Sequence, residues 1–236
     1  RVCVWLPSAL VGVPAALTVR MWGEERRSGT LEFISTLPVS TWEFVVGKFL
    51  ACWALLGLAL VLTLPLPLTV ALLGDLGWGP VFAGYIAAML LGGAYLAIGL
   101  FVSARTDSQI ISLIGSTLVC GVFYLLGSTA IVELFGADLR NFLAAIGSGS
   151  RFESITRGML DFRDLYFYAS MSIAFLALNV FTLERSKWAA EGDASRHRKW
   201  GLGTGLLVLN VLLANVWLTQ VTSLRFDWTE GRIYSI

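Results

Sequence analysis

The sequence predicts an all-α integral membrane protein, a polytopic bundle of transmembrane helices, and three observations predict it. The chain of 236 residues is 56 % hydrophobic and only 14 % charged, where soluble domains carry about a quarter charged residues. Six apolar segments, near 2–20, 46–73, 80–103, 109–132, 165–183 and 201–220, are long enough for a hydrocarbon layer of about 30 Å. None of them alternates with period 2, so they read as helices and not as barrel strands.

The first segment opens with Arg1 and carries no signal-peptide pattern of basic, apolar and small-residue regions. Both ends of the chain read as cut from something longer. In the second segment Pro65 and Pro67 predict a kink, because proline removes a helical hydrogen bond and clashes with the preceding turn. Cys3, Cys52 and Cys120 all sit in apolar runs far apart in sequence. They read as small buried hydrophobes, neither a disulfide framework nor a metal site.

Orientation follows from lysine and arginine. With the loop at 20–48 cytoplasmic, Arg20, Arg26, Arg27, Lys48, Arg105, Arg185, Lys187, Arg196, Arg198 and Lys199 fall inside. Arg1, Arg140, Arg151, Arg157, Arg163, Arg225 and Arg232 fall outside, ten against seven, and the loop at 184–200 is the most basic. The six apolar cores hold no Asp, Glu, Lys, Arg or His. That argues against proton- or sodium-coupled transport, voltage sensing and intramembrane proteolysis, which need ionisable groups at membrane depth. His197 reads as a solvated loop residue. A net charge of +1 gives no case for nucleic acid.

Between the first two segments lies the most polar run of the chain, "EERRSGTLEFISTLPVSTWE", residues 24–43. Leu31, Phe33, Ile34 and Leu37 make an apolar face over about two helical turns, and Pro38 ends it. Glu24 and Glu25 suit the start of a helix dipole. Ser40 and Glu43 then form a capping box at the head of the next apolar run. Two readings fit such an insert: an interfacial helix on lipid headgroups, or a docking helix for a soluble partner. Mixed charges at Glu24, Glu25, Arg26, Arg27 and Glu32 favour docking, since an anionic leaflet would select a mostly basic helix.

This run resembles the signature of ABC-2 type transporter permeases, roughly E-E-R-x-x-G-T-L-E followed by L-P-V-S and G-K. Matching positions are Glu24, Glu25, Arg26, Gly29, Thr30, Leu31, Glu32, Leu37, Pro38, Val39, Ser40, Gly47 and Lys48. The resemblance implies that residues 24–38 are the coupling helix that docks into a separate ABC ATPase subunit. It extends over about residues 1–185, and it implies that the segment at 2–20 is the family's second span. It further implies a half-transporter: a second permease copy, as a homodimer or a related heterodimer, two ATPase subunits, and export across the cytoplasmic (inner) membrane of a prokaryote. ATP and Mg would be bound by the partner ATPase, so the chain itself needs no cofactor.

Residues 133–164 are too polar to span and are broken by "GSGS" at 147–150. Ser150 and Glu153 read as a second capping box, with Phe152, Ile155, Met159 and Phe162 at helical spacing after it. A pair of short amphipathic helices at the outer membrane surface is expected, and the resemblance implies an extracytoplasmic hairpin that lines or lids the exit. The wording "SRFESITRGMLDFRD" is similar to the gliding-motility branch of these permeases.

Downstream, 185–200 reads as a basic cytoplasmic linker bracketed by Trp188 and Trp200. Gly201 and Gly205 give a GxxxG spacing for close helix contact in the last span, where Asn210 and Asn215 are expected to bond to neighbouring helices. The ending "LRFDWTEGRIYSI" resembles the start of a gliding-motility-type auxiliary component. The expected organisation is therefore a permease domain at 1–184, a linker at 185–200, and an extra anchor leading into an extracytoplasmic auxiliary domain at 201–236. There is no G-x-x-x-x-G-K-[ST] phosphate loop and no His/Cys metal cluster, so no catalytic residue is named and the chain is not expected to be an enzyme. The competing function is an ATPase-driven envelope complex that transmits force or assembles surface structures without moving a solute.

Overall fold

The computed structural model describes residues 12–18, 40–73, 78–106, 108–128, 147–156, 159–191, 194–220 and 225–227. Helix α1 (12–18) comes first, followed by α2 (Thr41–Leu62), α3 (Pro65–Leu73), α4 (Trp78–Ser103) and α5 (Gln109–Leu126). Then come α6 (Gly149–Thr156), strand β1 (Met159–Asp161), α7 (Phe162–Glu191), α8 (Ala194–Gln220) and strand β2 (Arg225–Asp227). The fold is all-α, with one three-residue antiparallel strand pair that sets Leu160 opposite Phe226. The segment 24–38, expected to be a coupling helix, lies outside the described residues.

Four described stretches are long and apolar enough to cross a membrane: Thr41–Leu73, Trp78–Ser103, Gln109–Leu126 and Phe162–Arg185. Within α8 the apolar stretch is the shorter Gly201–Asn215. The first expected span is described only at 12–18, where Ala15 and Thr18 are buried.

Local chemistry explains where these helices begin and break. Ser40 caps α2 as expected: its side chain accepts from the Glu43 backbone N–H at 3.3 Å, and the Glu43 carboxylate accepts from the Ser40 N–H at 3.2 Å. The kink expected from Pro65 and Pro67 is a break, since α2 stops at Leu62 and a new helix opens on Pro65 itself. Proline is tolerated there because the first turn of a helix has no use for its missing N–H. The segment 185–200, read as a linker, is helical on both sides of 192–193. Lys187, Ala189, Ala190 and Glu191 are good helix formers and carry α7 past the apolar span.

Helix α4 is the axis of the bundle. Of its apolar stretch 72 % is buried, against 11–50 % for the other three. It packs against α2, α5, α6 and α7. Small residues let these neighbours close on it. A side chain at Gly92 would overlap Leu56, and one at Gly99 would overlap Thr18 of α1. At Gly93 the missing side chain admits the Trp53 indole, whose Nε1–H donates to the Met89 carbonyl at 3.1 Å. A second buried cluster joins Val45 of α2 to Ala97 and Leu100 of α4 and to Leu176, Val180 and Leu183 of α7. It places the Ser40 end of α2 beside the last turns of α4 and the second half of α7.

Helix α5 shows the inverted pattern a bilayer favours. Ser112, Ser116 and Cys120 are buried, four residues apart, while Ile110, Ile111, Ile114 and Leu118 are exposed. Lipid tails are as apolar as leucine, so helices in a membrane turn small and weakly polar residues to one another. Cys52 and Cys120 are free and buried, as their apolar settings predict; Cys3 lies outside the described residues.

Candidate functional site: a hairpin clamped to the central helix

Among the described residues, polar contacts from three helices gather on Ser148, in the glycine-rich break. Its hydroxyl shares a hydrogen bond of 2.7 Å with the Tyr95 hydroxyl of α4. Its carbonyl accepts from the Tyr168 hydroxyl of α7 at 2.9 Å. Its N–H donates to the Phe123 carbonyl of α5 at 3.0 Å. All three side chains, Tyr95, Ser148 and Tyr168, have no exposed surface. One residue thereby ties three helices together. Each bond adds only about 0.5–1.5 kcal/mol net, but an orphaned partner in so dry a place costs about 1–3 kcal/mol.

Glycine makes the approach possible. The C-terminal turn of α5 and the start of α6 touch backbone to backbone. A Cβ on Gly147 would overlap the Gly127 backbone, one on Gly127 would stand 2.7 Å from the Gly149 nitrogen, and one on Gly149 would stand 2.5 Å from the Tyr124 carbonyl oxygen. The break read at 147–150 is thus a crossing point.

An ion pair closes the other side. Arg151 of α6 donates to Asp164 of α7 at 2.9 Å, with both side chains only 9 % exposed. The Arg151 guanidinium also lies over the Phe167 ring, 4.5 Å from its centroid. Arg163 and Asp161 form a second, more exposed pair at 3.3 Å. These four residues hold the α6–β1–α7 reversal in shape, and β2 pairs on β1 beside them.

The expected hairpin residues are distributed differently from the helical spacing. Phe152 and Ile155 are 1 % and 0 % exposed and pack into the core cluster with Ala87, Ala88 and Leu91 of α4. Helix α6 therefore turns its apolar residues onto the bundle. Ser150 is the second residue of α6, not its cap, and Glu153 lies within the same helix. Ser148 holds the cap position, since its carbonyl accepts the first helical bond, from the Phe152 N–H at 3.1 Å. The Ser148 side chain is engaged by Tyr95, so the tertiary contact takes the group that a capping box would use. Met159 opens β1 and Phe162 opens α7, 56 % exposed; the periodicity that joined them to Phe152 and Ile155 crosses a chain reversal.

In α8 the outcome is mixed. Asn215 donates to the Ser170 hydroxyl of α7 at 2.9 Å, as expected of a polar residue between helices, whereas Asn210 is exposed. At Gly201 a side chain would stand 3.5 Å from the Phe181 ring, and at Gly205 it would meet nothing within 4 Å. Only the first of the pair lies at a helix contact.

Tyr95, Ser148, Tyr168, Arg151 and Asp164 were not singled out as site residues. Their only signal is the glycine break itself, which marks where backbones cross but not what crosses there. Among the described residues no group of His, Cys, Asp or Glu could hold a metal ion. The clamp offers no nucleophile with a base beside it. It can hold the hairpin against the central helix, and nothing in it suits covalent chemistry.

Residues 8–186 match the family described as ABC-2 family transporter protein. The chain belongs to the ABC-2 transporter family. It is a multi-pass membrane protein and a permease component of an ABC transporter, a membrane subunit and not the ATPase. Neither a curated protein nor a solved structure matches it. The match covers the polar insert and every element of the clamp, and it ends before α8.

Proposed function

We propose that this ABC-2 permease converts ATP hydrolysis by a separate nucleotide-binding subunit into export across the cytoplasmic membrane of a prokaryote. Residues 24–38 act as the coupling helix and the α6–β1–α7 hairpin acts as the exit lid. The supporting observation is a continuous run of contacts. The insert leads directly into the capped start of α2. Helix α2 packs along α4 through Val45, Trp53 and Leu56, and α4 holds the hairpin through Tyr95 and Ser148. A push on the insert tilts α2, and α4 carries the displacement to the lid. The ATPase must bind the two permease states with different affinity, because equal affinity would shift neither.

In this reading a second permease copy, identical or related, completes the pathway. The chain falls in the gliding-motility-like branch, and 201–236 begins an auxiliary extracytoplasmic component. A second reading, force transmission to the cell envelope without a solute, is favoured by one observation. Strand β2, which follows the extra helix, pairs with β1 at the hairpin, so anything continuing from β2 would move with the lid.

The test is charge reversal in the insert. Glu25→Lys or Glu32→Lys abolishes association with the ATPase subunit in a detergent pull-down and leaves membrane insertion intact. Association that persists in both variants makes the insert an interfacial helix and removes the coupling role.

A further inference from the structure

Helix α8 and strand β2 lie past residue 186, where the family match ends, yet both return to elements inside it. Asn215 of α8 donates to the Ser170 hydroxyl of α7 at 2.9 Å, and both residues are buried. Strand β2 pairs antiparallel with β1, setting Asp227, Phe226 and Arg225 opposite Met159, Leu160 and Asp161. We propose that β2 is a latch: its pairing with β1 holds the α6–β1–α7 hairpin in place, and its withdrawal frees the hairpin while α8 stays anchored at Asn215.

Three features make it a latch. First, β1 sits at the joint of the hairpin. It packs against α6 and runs into α7 without a break, Asp161 being followed directly by Phe162. The Asp161 carboxylate accepts from the Arg163 N–H at 3.2 Å, so the last strand residue also fixes the first turn of α7. Asp164 of that same turn holds Arg151 of α6. The position of β1 thereby sets how α6 meets α7.

Second, β1 cannot satisfy its own backbone. An extended segment makes no hydrogen bonds within itself, so its N–H and C=O groups need another strand or water. Among the described residues β2 is the strand that pairs with it.

Third, the pairing is short and tethered. A two-stranded ribbon is marginal by itself, and this one is three residues long. The anchor keeps its halves together: Ser170 lies nine residues after Asp161, and Asn215 ten before Arg225. The bond between Ser170 and Asn215 thus holds β2 near β1 at a high effective concentration. Such a contact opens and recloses without unfolding the helices on either side. Its consequence for transport rests on the reading of the hairpin as an exit lid; the latch itself does not.

The experiment is hydrogen–deuterium exchange of the full chain in detergent, read by mass spectrometry, with no ATPase or substrate added. Of two successive strand N–H groups one faces the partner strand, so Arg225→Pro/Phe226→Pro removes a donor to β1 whichever it is. Exchange should quicken about tenfold, the size of one or two net hydrogen bonds, across both β1 and α6. It should stay unchanged in α8 between Gly201 and Asn215. Faster exchange confined to β1, or none, overturns the proposal, because β2 would then cover the hairpin without holding it. Leu160→Cys/Phe226→Cys tests the same pairing with no bond removed. Directly opposite residues of an antiparallel pair stand about 4.5–5.5 Å apart at Cα, within the span of a disulfide. Oxidation by copper-phenanthroline in air should join the two in the folded chain and slow exchange in α6 relative to the reduced protein. No disulfide, or equal exchange in both states, overturns the proposal as well. Neither measurement involves the insert or ATP, so a failed latch leaves the coupling reading standing, and a failed coupling reading leaves the latch.

Discussion

The hydroxyls of Tyr95 and Ser148 meet at 2.7 Å, fifty-three positions apart in sequence and both without exposed surface. This bond joins the central helix of the bundle to the hairpin. Ser148→Ala leaves the Tyr95 hydroxyl buried without this partner and should destabilise the protein by about 1–3 kcal/mol, and Tyr95→Phe by a similar amount or less. Because the two changes remove one bond, they should not add. A double-mutant cycle on unfolding midpoints in detergent should return a coupling of about 0.5–3 kcal/mol, and strict additivity would show that the contact carries no stability.

The Arg151–Asp164 pair makes a contrasting prediction. Removing Asp164 takes a buried partner from the Arg151 guanidinium, so Asp164→Ala should destabilise, by up to about 3–5 kcal/mol, whereas replacing both residues with hydrophobes should cost less. Unfolding midpoints of Asp164→Ala and of Arg151→Met/Asp164→Leu test this ordering. A double variant as unstable as the single would mean that the pair holds the hairpin through contacts other than its charge.

Glycine substitutions should separate crossing points from open positions. Gly147→Ala drives a methyl into the Gly127 backbone and should destabilise by at least about 1–3 kcal/mol. Gly121→Ala, on α5 with nothing within 4 Å, should be neutral or stabilising by up to about 1 kcal/mol. Thermal unfolding of the two variants side by side distinguishes them.

Asn179 sits on α7 with no exposed surface, and among the described residues neither polar atom of its amide has a hydrogen-bond partner. A buried amide without partners costs about 1–3 kcal/mol by protein mutational measures. Asn179→Leu, with the same number and branching of side-chain heavy atoms, should therefore raise the unfolding midpoint. A lowered midpoint would mean that the amide is satisfied in the assembled protein.

How much of this was legible in the sequence depends on range. Four of the six spans were, because about twenty apolar residues in a row have few other uses. So were the Ser40–Glu43 cap and the disturbance at Pro65, expected as a kink and found as a break, since both act within four residues of themselves. Ser150 and Glu153 carry the same capping pattern, yet the helix begins at Gly149. There a long-range partner, Tyr95, competes for the neighbouring serine. Met159 and Phe162 kept a helical period across a reversal that no local rule marks. Tyr95, in the run "GGAYLAIGLF", looks like one more apolar helix residue until the chain from 147 returns to it. Arg151 and Asp164 are thirteen positions apart and meet only because β1 turns the chain between them.

The central claim is that residues 24–38 receive work from an ATPase and that α4 delivers it to the hairpin. Its most direct test is one purification series in detergent, with ATPase activity assayed on whatever co-purifies with the wild type, Gly29→Pro, and Tyr95→Phe/Ser148→Ala. The account predicts an active ATPase subunit with the wild type, none with Gly29→Pro, and a subunit that still binds and hydrolyses ATP with the clamp variant. An ATPase that stays bound to Gly29→Pro, or none bound to the wild type, would contradict it.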